Sequence, residues 1–170
     1  MLRSLLLLAA LLLSPLAEAA VWPTQNSWDQ EWESKYARWV RTNWKVDIFT
    51  NRESPYYGVV PDCADTVYSM RAVFSFENNL PFAVVDPSTM RSVITNEMKR
   101  FDNLPAGSRR LVAYLNWIRD VVSTASLQND TFPTAINRAA VRSGGLMLAK
   151  ESKHSYTIKQ MKETGVPVLY

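Results

Sequence analysis

The hydrophobic spacing of this chain changes once, and that change limits the fold class. Up to about residue 142 apolar side chains recur at helical intervals: Trp28, Trp32, Tyr36 and Trp39; Cys63, Val67, Met70 and Phe74; Leu111, Leu115, Ile118 and Val122. Side chains three, four or seven positions apart share one face of a helix. Gly144-Gly145 then interrupts the chain. From His154 the side chains alternate, with His154, Tyr156 and Ile158 on one face and Ser155, Thr157 and Lys159 on the other. Period two marks a half-buried antiparallel strand. Helices first and a meander last define an α+β domain.

Local punctuation predicts the elements. A short exposed leader over 22–27 precedes a helix capped by Ser27 or Asp29 that reaches about Trp44. Residues 51–61 carry Asn, Ser, two Pro and a Gly and read as a loop. Asp62 caps a second helix over 62–78, with Asp65 placed as in a capping box and Asn78-Asn79-Leu80-Pro81 as the stop. A short strand is expected at 82–85, a helix from Asp86-Pro87-Ser88 through about 101, and an amphipathic helix over 108–126. A loop at 128–133, a short helix at 134–142, strands at 146–149, from 154 and at 166–170, and turns at 150–153 and 163–165 complete the reading.

The first 19 residues read as an export signal rather than part of the fold. Arg3 supplies the positive charge, residues 5–13 are unbroken apolar, Ser14-Pro15 break the run, and Ala17-Glu18-Ala19 offers small residues for cleavage. Nine apolar residues are too few to span a bilayer, which needs about 20. The expectation is a signal peptide at 1–19 and one domain at 20–170, periplasmic or extracellular, with no transmembrane anchor. The net charge of +3 is scattered, with no basic block, so nucleic acid is not an expected partner.

The chain has one cysteine, Cys63, and one histidine, His154. A single Cys makes no internal disulfide, and zinc needs about four ligands, so no metal or other cofactor is expected. Cys63 falls on the first turn of the expected 62–78 helix, where backbone N–H groups and the helix dipole favour a thiolate. Asp62 and Asp65 oppose that anion. A nucleophilic pair needs a thiol, a base and an oxyanion donor; His154 is the only imidazole, and the Cys63 backbone N–H is a candidate donor. The plain alternative is a small core Cys and a satisfied strand His. An unpaired thiol in an oxidising compartment weighs against a spectator role.

The local sequences add a resemblance. Ser54-Pro55-Tyr56-Tyr57-Gly58, followed by Asp62-Cys63-Ala64-Asp65, resembles the aromatic-Gly loop and Asp-Cys-Ser-Gly turn of the NlpC-like papain-fold peptidases. Ser143-Gly144-Gly145-Leu146-Met147-Leu148 and His154-Ser155-Tyr156-Thr157-Ile158 resemble that family's strand entry and histidine strand. The resemblance covers 54–78 and 143–170. It implies a papain-like fold, with the nucleophile helix packed on the C-terminal meander and additional helices inserted between. It implies Cys63 as nucleophile, His154 as general base, Tyr56 or Tyr57 as the loop tyrosine near the thiol, and Asp62 as cap beside the substrate and oxyanion region. The implied activity is cleavage of amide bonds in bacterial cell-wall peptides.

This chain has Ala64-Asp65 where the family has Ser-Gly, and 166–170 supplies no third polar residue. The expected site is therefore a dyad, a pair oriented by a backbone carbonyl, or part of a longer protein. Two other readings share these residues: a transglutaminase-like acyltransferase, in which an amine replaces water, and a non-catalytic periplasmic domain whose Trp28, Trp32, Tyr36 and Trp39 stripe binds glycan or a partner.

Overall fold

The computed structural model describes residues 20–149, 151 and 153–170. The expected signal peptide lies outside them, as do Lys150 and Ser152 of the expected 150–153 turn. Four helices, α1 (Gln30–Thr42), α2 (Cys63–Glu77), α3 (Ser108–Arg119) and α4 (Thr124–Asp130), combine with two small antiparallel sheets in an α+β arrangement. One sheet is the hairpin β1 (Ala83–Val85) and β2 (Val93–Thr95); the other is the meander β3 (Leu146–Ala149), β4 (His154–Met161) and β5 (Pro167–Leu169). None of the described helices is long and apolar enough to cross a membrane.

Helix α2 is the centre of the fold. Ala64, Val67, Tyr68, Met70, Ala72, Val73 and Phe74 are all buried, so apolar residues cover its whole circumference, as in a helix enclosed by neighbours. Both ends are closed. The Asp62 carboxylate accepts from the N–H groups of Ala64 and Asp65 at 2.8 and 3.0 Å, and Asp65 returns the contact to the Asp62 N–H at 3.0 Å. This is the expected capping box. At the other end Asn79 takes φ +49°, and the Leu80 N–H reaches back to the Ser75 carbonyl at 2.9 Å. An Asn in the left-handed region ends the helix as glycine commonly does.

Helix α1, capped by Asp29, packs on α2 through its aromatic stripe. Trp28, Trp32, Tyr36 and Trp39 surround Phe74 with ring centroids 5.3–6.2 Å away. Glu33 pairs with Arg71, and the Trp39 indole donates to Glu77 at 2.8 Å, so the two helices run in the same direction. The Arg71 guanidinium also lies 3.3 Å over the Trp28 ring. The stripe is a packing surface in this structure, with Tyr36 and Trp39 buried and Trp28 and Trp32 half-buried.

The meander joins this pair through a bulge. The β4–β5 register shifts between Ile158 and Gln160, and the intervening Lys159 places its ammonium on the carbonyls of Val40, at 2.7 Å, and Trp44. A bulge re-aims a side chain, and a cation at the carbonyl end of a helix is favourable. Gly144, at φ +81°, fits closely on α1: a Cβ there would lie 2.8 Å from the Tyr36 ring. The buried side of β4 is the Ser155 and Thr157 face, while His154 is exposed and Tyr156 half-buried. Ile158 is buried as well, beside Gly145.

Four expectations change. Residues 88–101 do not form a helix. Asp86 accepts from the N–H and hydroxyl of Ser88 and from the Ser92 hydroxyl, making a closed turn in place of a helix cap. Val93-Ile94-Thr95 then pairs with β1, as β-branched residues prefer. Only Lys99–Phe101 is helical there, as one 3-10 turn. The 108–126 helix is broken after Arg119, because Ser123 starts α4 with its own capping box to Ser126. That new helix occupies much of the expected 128–133 loop. Residues 134–142 are turns and bends, with Ile136 almost fully exposed, since no core surface receives them.

The fourth change concerns the leader. Val21 and Trp22 are buried, although 23–27 are exposed. The Trp22 indole donates to the Leu80 carbonyl at 2.8 Å and packs on Phe76, Phe82 and Tyr114. Asn96, 1% exposed, ties this segment to the hairpin: its amide donates to the Trp22 carbonyl and accepts from the Phe82 N–H, while its backbone carbonyl accepts from Val21. Substituting Asn96→Leu leaves a buried N–H and carbonyl unpaired and should cost about 2–4 kcal/mol. Urea unfolding checks this: a midpoint equal to the parent's contradicts it.

Candidate functional site

The capping box places Cys63 at the first position of α2, half-buried, with its thiol uncommitted to any disulfide. The N–H groups of Ala64 and Asp65 are occupied by the Asp62 carboxylate, and that of Thr66 by the Asp62 carbonyl. The Cys63 N–H has no protein hydrogen bond among the described residues. Sγ and a free donor therefore belong to the same residue at the positive end of the buried central helix. Asp62 keeps the capping role expected of it.

Among the described residues Sγ makes one side-chain hydrogen-bonding contact, with Thr124, whose hydroxyl lies 3.8 Å away. Thr124 is the first residue of α4, and α4 is bolted to α2. The Tyr68 hydroxyl donates to Asp130 at 2.7 Å and lies 2.9 Å from the Ser126 hydroxyl. The other Asp130 oxygen accepts from the Val85 N–H at 2.8 Å. Thr124 was not among the residues singled out from sequence. The Ser123-Thr124 pair is a visible helix start, but a continuous helical pattern across 108–126 conceals it.

The electrostatics around the thiol are mostly acidic. Asp65 is 5% exposed, and burial first, then the neighbouring Asp62 charge, push its carboxyl up to about 6. Its hydrogen bond from the Asp62 backbone and the charge of Arg119 act in the opposite direction. Below about pH 6 Asp65 is neutral and one anion leaves the thiol's surroundings. Arg119 is held nearby by donation to the Val60 carbonyl at 3.4 Å.

The remaining expected residues are placed apart from the thiol or without contact to it. The Tyr56 hydroxyl donates to Glu77 at 2.7 Å, at the last residue of α2. Cys63 is at the first residue, about 21 Å away along the helix axis. The Tyr56 hydroxyl thus does not serve as a loop tyrosine at the thiol; it ties the 51–61 loop to the distal end of the helix, where the Glu77 carboxylate also accepts from the Trp39 indole. Tyr57 is 47% exposed. His154 opens β4, pairs in register with Ala149, and sets its ring edge-on to Tyr156 at 5.1 Å. β4 packs on α2, yet no hydrogen bond joins His154 to Cys63 among the described residues. Comparison with family models, with curated proteins and with solved structures returned no match.

The Asp65 shift has a direct consequence for stability. A carboxyl whose folded value is raised from 3.8 to about 6 binds its proton more tightly in the folded state. Stability therefore falls as pH rises from about 4 to about 6 and stays lower above that. Asp65→Asn retains an acceptor for the Asp62 N–H and removes the charge. The variant should lose that slope and gain about 1–2 kcal/mol at pH 7. Thermal unfolding from pH 4 to 7.5 measures it; an unchanged pH profile contradicts it.

Proposed function

We propose that this protein is an exported cysteine hydrolase that cleaves amide bonds in cell-wall peptides, with Cys63 as nucleophile and His154 as base. The observation that carries the reading is the first turn of α2, where a half-buried thiol and an unpaired backbone N–H sit together at the end of an enclosed, doubly capped helix. The packing of the histidine-bearing meander on that helix supports it, and so does the resemblance of 54–78 and 143–170 to the NlpC-like papain-fold peptidases. On this reading the domain has a papain-like plan with α3, α4 and the β1–β2 hairpin inserted between its two halves.

The chemistry follows from these groups. The Cys63 thiolate attacks the amide carbonyl, and the Cys63 N–H donates to the developing oxyanion. The proton taken by His154 passes to the leaving amine. Water, activated by the same imidazole, then attacks the thioester, which releases the acid and returns the thiol. The His154 side chain is exposed and has no hydrogen bond among the described residues, so on this reading it approaches Sγ when substrate is bound; contacts of this kind often tighten only in the complex.

Alkylation of the folded protein by iodoacetamide across pH tests the pair. Rapid labelling at pH 7, slowed about tenfold or more in His154→Ala, is expected if the imidazole favours the thiolate. A thiol that labels only after denaturation overturns the enzyme reading. Incubation with purified wall should release new free amines, and Cys63→Ser should release none. Thr124 is expected to steady the thiolate by donating its hydroxyl to Sγ. Thr124→Val should slow labelling at pH 7 several-fold, and Thr124→Ser should restore it. An unchanged rate leaves Thr124 a packing residue.

A further inference from the structure

A second surface lies where the C-terminal half of α1 meets residues 141–143 and the end of β4. A groove of about 630 Å³ is lined by Arg41, Arg142, Ser143, Gln160, Lys162 and Glu163, among others. A smaller groove of about 260 Å³ shares Arg41, Arg142 and Ser143 with it and extends to Arg38. The fold builds this concavity. Gly144 seats on Tyr36 and Val40, and the Gly144 N–H donates to the Ile158 carbonyl at 2.9 Å, which holds Arg142 and Ser143 against α1.

The charge of the lining is one-sided. Arg38, Arg41, Arg142 and Lys162 are exposed, and none has a carboxylate partner among the described residues. Elsewhere Lys35, Arg71, Arg110 and Arg119 are paired with carboxylates, while other cations such as Lys45, Arg52 and Arg91 have no ion pair among the described residues; what sets the grooves apart is that four such cations line adjoining concavities. Glu163 is the one acid lining the grooves. Four unpaired cations around a concavity raise the local concentration of anions, and guanidinium forks match carboxylates two-pronged.

We infer that this groove binds an acidic peptide. Three guanidiniums and an ammonium take its carboxylates. Gln160 and Ser143 offer donors and acceptors for peptide amides, and the Glu163 carboxylate accepts an amide N–H. That mixed lining suits a chain of carboxylates joined by amides better than a polyphosphate, which has no N–H to give. The site stands on geometry separate from Cys63, and its test separates the two.

Fluorescence anisotropy with fluorescein-labelled hexaglutamate provides that test. Binding is expected in low salt and weaker at 150 mM salt, with uncharged hexaglutamine not binding. The double substitution Arg38→Glu with Arg142→Glu should weaken binding roughly tenfold or more. Both residues are exposed, and circular dichroism confirms that the variant folds; Arg142→Gln alone should give a smaller loss in the same direction. Cys63→Ala should bind as the parent does, whatever its activity. Equal binding by the parent and the double variant overturns the proposal. Tighter binding of polyphosphate of matched charge, or of anionic vesicles, lost in the same variant, overturns the assignment to a peptide.

Discussion

The insertion of Phe74 among four aromatic rings of the preceding segment and α1 is the contact on which the rest of the structure depends. It sets α1 parallel to α2, an arrangement that obliges the intervening residues 43–62 to return along the length of the helix. Tyr56 is tied to Glu77 at one end of that return, and Gly58 and Val60 accept from Asn116 and Arg119 of α3 further along it. The segment thus arrives at Asp62 already fixed, and the capping box closes on it. Aromatic side chains bury large areas, and edge-to-face pairs add to that burial, so a single ring at this position organises two helices and a loop.

The same arrangement decides what surrounds the thiol. Because α2 is enclosed on every side, its first turn is one of the few parts of it with open backbone donors. Helix α3 runs back beside α2, and its break after Arg119 delivers Thr124 to Sγ. Asp65 is a cost of the cap: a second carboxylate completes the hydrogen bonds at the helix start and, being buried, holds its proton to about pH 6. The cap that positions the thiol therefore also controls how much negative charge it faces.

Sequence reading succeeded where the signal is local. The Asp62 and Asp65 cap, the Asn-Asn-Leu-Pro stop, the aromatic stripe of α1 and the alternation from His154 each rest on residues within a few positions of one another. It failed where a distant partner outweighs local preference. Asp86-Pro87-Ser88 carries the same residues whether it opens a helix or closes a hairpin turn, and the pairing of Val93-Ile94-Thr95 with Ala83–Val85 settles which. Trp22 looks like part of a leader until Asn96 and Leu80, more than fifty residues on, hold it in the core. The resemblance implies Tyr56 or Tyr57 as the tyrosine at the thiol, but the return segment carries the Tyr56 hydroxyl to Glu77 at the other end of the helix.

By itself, then, the sequence determined the α+β class, the helix on which the one cysteine sits and its place at the first turn, because periodicity and caps act between near neighbours. The tertiary structure decided that α2 is enclosed, that Thr124 meets the thiol, that the Ser155 and Thr157 face of β4 is the inner one, and that four cations from α1, the 141–143 segment and the end of β4 line two adjoining grooves. Those outcomes depend on which surfaces bury each other, a property of the packed chain as a whole.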